Sequence, residues 1–190
     1  MIKNIRFFTF FSIFLFCFAT KGISQSDFEI LNQYITKIST LQENNDYDEI
    51  IELTKTSSKK NVNKKRNKEL AIINSVANAN IKSQQSEFIN ESITEQYASA
   101  LHQSRKIGNK QLETWCSLNF AFYFYNHLQY KFAISFFLPA LSYLKENPSE
   151  QQFDSFNIYK RISYFLTFVK DGRESNYFLN KATLSAKSTP

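Results

Sequence analysis

The chain of 190 residues carries 23 Lys and Arg against 17 Asp and Glu, a formal charge of +6, with only three glycines and three prolines. That length holds one compact domain, or about four stacked helical units of roughly forty residues, and no second large domain. So few turn-forming residues exclude an all-β architecture, whose many tight turns need positive or pre-set φ, and favour helices joined by short polar turns.

The N-terminus reads as a separate object. Lys3 and Arg6 precede an almost wholly apolar run from Phe7 to Ala19, and a smaller, more polar stretch follows. This is the three-part layout of a secretory signal peptide over residues 1–24. The apolar run of about 13 residues falls short of the roughly 20 needed to cross a bilayer, so cleavage is expected rather than anchoring. Gly22 and Ser24 supply the small residues a peptidase needs, which places the cut after Ser24, with Ala19 as the alternative. The domain is then 25–190, exported to a periplasmic or extracellular location. Phe16 argues against Cys17 as a lipid-modified cysteine, because the residue before such a cysteine is normally small. Loss of Lys3, Arg6 and Lys21 lowers the formal charge to +3, so the basic character belongs partly to the leader. Cys116 is then the single cysteine, with no internal disulfide and no multi-cysteine metal site open to it, and it reads as a small buried hydrophobe.

From Phe28 onward, Leu31, Tyr34, Ile35, Ile38 and Leu41 recur at three- and four-residue spacing and share one helical face. Asn44 and Asn45 break this helix, and Asp46 can cap the next, whose buried stripe is Tyr47, Ile50, Ile51 and Leu53. The same two-helix unit recurs as Asn67 to Ser83 with Glu87 to Ile107, Lys110 to Leu128 with Tyr130 to Glu146, and Ser149 to Val169 with Arg173 to Lys187. Eight helices are predicted, in hairpins over 28–58, 67–107, 110–146 and 149–187. Gly108 and Asn109, Asn147 and Pro148, and Asp171 and Gly172 carry the turn chemistry.

The third hairpin fits a known pattern without a gap. Counting from Thr114, a small residue falls at Ala121 and a large one at Phe124, and Tyr130, Ala133, Phe137 and Ala140 follow in order along the second helix. This resembles the tetratricopeptide repeat. The run Asn45 to Glu52 is similar to the turn and second-helix start of the same family, with Ile50 where alanine is usual. Ala100 and Ala182 are the clearest small positions of the second and fourth hairpins. Starts near residues 31, 74, 114 and 156 give a period of about 40 to 43, longer than the familiar 34. The resemblance implies an all-α fold, a right-handed αα-superhelix or solenoid of about four hairpins. Repeats this long are similar to those in the extracytoplasmic sensor halves of membrane-bound histidine kinases and of signal-bearing regulators. A second implied role is therefore the input domain of an envelope signalling system, truncated or split from its output.

In the family, first helices line a concave surface on which peptides or extended protein segments lie. The family register aims Trp115, Leu118, Phe122, Tyr125 and Asn126 at that surface from the third hairpin, Lys160 and Tyr164 from the fourth, and Asn78 and Lys82 from the second. An aromatic patch with amides and lysines suits an extended peptide. Aromatic residues at helical spacing also serve as core, and the residues alone leave both readings open.

Lys59, Lys60, Lys64, Lys65, Arg66 and Lys68 put six cations into ten residues with no acid among them. A solvated loop accounts for such a run, and attraction to an anionic membrane surface is the functional alternative. Nucleic acid is a poor partner, since the chain is expected to be exported and no aromatic residues interleave with the cations. His102 and His127 lack neighbours at ligand or relay spacing, Gly22, Gly108 and Gly172 are too far apart for a phosphate loop, and the acids around Asp46 are explained by helix capping. No metal or cofactor is expected, and no enzyme. The reading is an exported scaffold binding a protein or peptide through its concave face, with the last hairpin open to docking a second copy.

Overall fold

A computed structural model of the chain describes residues 27–57, 63–169 and 171–187, and all regular structure among them is helical. The signal-peptide expectation and the cations Lys59 and Lys60 lie outside the described residues. Eight helices are seen: α1 (27–43), α2 (Tyr47–Ser57), α3 (Lys64–Gln84), α4 (Glu91–Ile107), α5 (Lys110–Asn126), α6 (Tyr130–Glu146), α7 (Ser155–Phe168) and α8 (Gly172–Lys187). No described helix is long and apolar enough to cross a membrane. The chain divides into two compact units, one through Tyr34 and one from Ile35 onward. Of the first, residues 27–34 are described, a stretch of helix with Leu31 buried. Everything below concerns the second.

Three helix starts differ from expectation, two because a side-chain cap rather than the apolar pattern sets them and one because a buried turn precedes the helix. α3 begins at Lys64 instead of Asn67 because the Asn63 side chain accepts from the backbone N–H of Lys65 at 3.0 Å and of Arg66 at 3.4 Å. α4 begins at Glu91 instead of Glu87 because Asn90 caps it, accepting from Ile93 N–H at 3.2 Å. The preceding loop is pinned to α5, where the Tyr123 hydroxyl accepts from Asn90 N–H at 2.8 Å and lies 3.1 Å from the Asn90 carbonyl. α7 begins at Ser155 instead of Ser149, after a turn whose Gln152, Phe153 and Asp154 are buried. The predicted end of α5 moves as well. Leu128 takes a left-handed conformation (φ 60°) and turns the chain into α6.

Helices pack as successive hairpins, α3 on α4, α5 on α6 and α7 on α8, with α4 on α5 and α6 on α7 linking them. First helices also meet directly, α3 with α5 and α5 with α7. α5 thus touches four neighbours, and its sequence agrees: nearly every residue from Leu112 to Phe124 is buried, as expected of a helix apolar all round. α4 and α6 are amphipathic and bury matching positions forty residues apart, Ile93 and Ala133, Tyr97 and Phe137, Ala100 and Ala140. The small alanines let helix pairs approach, and the large rings fill the space between them. Phe137, 1% exposed, stacks on Phe165 of α7 at 4.2 Å and meets Phe122 edge-on at 5.3 Å. Pro139 sits inside α6 on its exposed face, where the missing N–H leaves a carbonyl within reach of water.

Candidate binding site between the first helices

Polar side chains from each first helix meet in the space they share. Gln42 of α1, Asn80 of α3, Asn119 of α5 and Arg161 of α7 are separated by 38, 39 and 42 positions, near one repeat each. They are joined laterally. Asn80 Nδ2 donates to Asn119 Oδ1 at 3.2 Å and to Gln42 Oε1 at 3.4 Å. Arg161 Nη1 donates to the same Asn119 Oδ1 at 2.8 Å, and Asn119 Nδ2 returns to the Trp115 carbonyl one turn back at 2.8 Å. The Tyr97 hydroxyl of α4 donates to Asn80 Oδ1. A buried amide is costly only when unpaired, and Asn119, 4% exposed, has both ends of its amide engaged.

This row borders a cavity of about 190 Å³ with Tyr97, Phe122 and Tyr123 as its aromatic walls. Arg161 is half-buried, and its guanidinium lies 5.0 Å from the Phe122 ring centroid. Among the described residues no carboxylate comes within ion-pairing range of it. Burial lowers its pKa, opposed chiefly by the charge of Asp154. Gln42 Nε2, also on the cavity, is buried and has no acceptor among the described residues. Glu43, next to it, faces the same space from an exposed position.

Ser39 Oγ of α1 donates to Asp154 Oδ2 at 2.7 Å, so the first hairpin meets the head of α7 directly. Asp154 is buried, holds a left-handed backbone (φ 49°) and also accepts from Asn157 Nδ2 at 3.1 and 3.2 Å. Burial pushes its carboxyl up to about 6, although the Ser39 hydrogen bond and Arg161 pull the other way.

The predicted contact residues do not stay together. Phe122 and Asn126 line the cavity. Trp115 and Leu118 are 3% and 0% exposed and belong to the core, a correction whose cause is the enclosure of α5 on all sides until its last turn. Tyr125 forms an aromatic trio with Tyr130 and Phe168, at centroid distances of 5.6 Å to each. Lys160 lies over the Phe156 ring at 5.5 Å, and Tyr164 is 54% exposed. Asn78 and Lys82 border a different hollow, shared with Tyr47 and Ile51 of α2. Of the basic run, Lys64, Lys65 and Lys68 line an open cleft of about 710 Å³ with Lys106 of α4, and Arg66 lies beside them at the head of α3. On α8, Tyr177, Leu179 and Leu184 are exposed.

Cys116 is buried, and burial pushes its thiol up, away from the reactive thiolate. His102 is exposed, while both ring nitrogens of His127 face backbone carbonyls, Tyr123 at 2.8 Å and Ser86 at 3.1 Å. Among the described residues no three metal-binding side chains gather. The residues missed from sequence, Gln42, Asn80, Asn119 and Arg161, did carry a signal: polar side chains recurring at near-repeat intervals on successive first helices.

No family model matches the chain, and neither does any curated protein or solved structure.

Proposed function

We propose that this is an exported binding scaffold, a right-handed superhelix of about four tetratricopeptide-like hairpins, which takes a peptide or an extended segment of a protein against its first helices. The observation that carries the reading is the row Gln42, Asn80, Asn119 and Arg161, one side chain per hairpin, bordering a cavity with aromatic walls. Amides and a guanidinium offer donors and acceptors at the spacing of successive helices, while rings offer apolar area. Such a surface binds polar backbone and apolar side chains together. The run from Lys3 to Ser24 supports export, and the cleft at Lys64, Lys68 and Lys106 supports contact with an anionic membrane surface.

Selection of peptides from a displayed random library tests the reading. Wild-type protein is expected to enrich binders that lose about tenfold or more on Asn126→Ala or Phe122→Ala, a loss of about 1.4 kcal/mol. Binders indifferent to both changes would place recognition elsewhere.

A second reading, the input domain of an envelope signalling system, is favoured by the Ser39–Asp154 hydrogen bond. A ligand beside that contact would bias how the first hairpin meets α7, and the bias is what an output domain reads.

A further inference from the structure

We infer that the cavity between the first helices takes a small zwitterion of amino-acid type, its carboxylate on Arg161 and the Gln42 amide and its ammonium toward Glu43. The inference rests on the inner face being a binding site and goes beyond it by naming what the cavity holds.

The first argument is charge. Arg161 and Glu43 border one cavity with opposite signs, and among the described residues neither is ion-paired with the other or with a third group. Taking a guanidinium out of water carries a desolvation cost, which a carboxylate set against it offsets. The only acceptor Arg161 has among the described residues is the neutral Asn119 Oδ1, which leaves most of its five N–H groups unused. Asp154 offsets that burial by its charge alone, from beyond ion-pairing range. Its oxygens are bonded to Ser39 and Asn157.

The second argument is an orphaned donor. Among the described residues Gln42 Nε2 is buried without an acceptor, while its Oε1 is held by Asn80. That orientation fixes the amide with its N–H groups unsatisfied, a state that is costly to maintain unless something accepts from them. A ligand carboxylate has lone pairs for both the guanidinium and this amide.

Size and selectivity give the third. A volume of about 190 Å³ is room for about six waters, or a ligand of comparable bulk. With one cation and one anion on the cavity, a dicarboxylate meets Glu43 and a polyamine meets Arg161, so each is disfavoured against a ligand carrying both charges. The rings of Tyr97, Phe122 and Tyr123 are left for its apolar part.

Calorimetric titration of the purified protein with single amino acids, their N-acetyl derivatives and their amides tests this. The free zwitterions are expected to bind, with acetylation and amidation each weakening affinity about tenfold or more, the loss of one charge-assisted contact. Glu43 is exposed, so Glu43→Gln leaves the fold intact. It should weaken the free amino acid about tenfold and leave the N-acetyl form unchanged. Equal affinity for free and acetylated forms overturns the inference, as does an unchanged affinity in Glu43→Gln. If selected peptides bind the inner face and amino acids neither bind nor compete, the zwitterion falls and the scaffold reading stands. If amino acids bind and no peptide does, the reverse holds.

Discussion

Ser39 on α1 and Asp154 at the head of α7 share a 2.7 Å hydrogen bond across 115 positions of sequence, tying the first hairpin to the last. Ser39→Ala should therefore cost more than a surface change. It removes a hydrogen bond to an ionised group, worth about 1.5–3 kcal/mol at neutral pH, and pushes the Asp154 carboxyl higher still. Urea denaturation at pH 8 measures the first effect, and titration of the Asp154 carboxyl by NMR the second.

Asp154 also sets a pH dependence with a definite sign. Its carboxyl rises from 3.8 to about 6 on folding, so between those values the folded chain holds the proton more tightly than the unfolded one. Its contribution to stability is fully present below pH 4 and is lost as pH rises through 6. At about 1.4 kcal/mol per pH unit, the swing is on the order of 3 kcal/mol. Asp154→Asn should remove it. The stability difference between Asp154→Asn and wild type, near zero at pH 4, should grow in favour of the variant by pH 8, as read from parallel urea titrations.

Asn119→Leu leaves both Asn80 Nδ2 and Arg161 Nη1 short of an acceptor. Destabilisation of about 2–4 kcal/mol is expected. A double-mutant cycle with Asn80→Leu should return less than the sum of the single changes, since the second removes one of the stranded donors.

Leu128, 70% exposed with φ 60°, is held where a Cβ is disfavoured. Leu128→Gly should raise stability by about 1 kcal/mol, seen as a higher melting temperature by circular dichroism.

Phe137→Ala deletes the ring stacked on Phe165 and should cost about 3–5 kcal/mol. Phe88, 74% exposed, is the control: Phe88→Ser should change stability by less than about 0.5 kcal/mol in the same denaturation experiment.

The helical content and the hairpin turns were legible because apolar spacing and Asn–Gly chemistry are local. Asn63 and Asn90 were also visible, but their role as caps depends on how the loops pack, so α3 and α4 began elsewhere than the apolar stripe suggested. Trp115 and Leu118 were misplaced for a different reason. A helical wheel assigns faces, and only the arrangement of α3, α4, α6 and α7 around α5 shows that it has no free one before Phe122. The polar row was readable as position but not as contact, because Asn80 and Asn119 meet only when two hairpins pack.

The central claim is that ligand binds between the first helices. Hydrogen–deuterium exchange, with and without a ligand from the peptide selection or the amino-acid titration, tests it most directly. Slowed exchange is predicted in residues 35–43, the C-terminal halves of α3 and α5, and α7 around Arg161. Unchanged exchange there, with protection instead on the outer faces of α4 and α6, would contradict it.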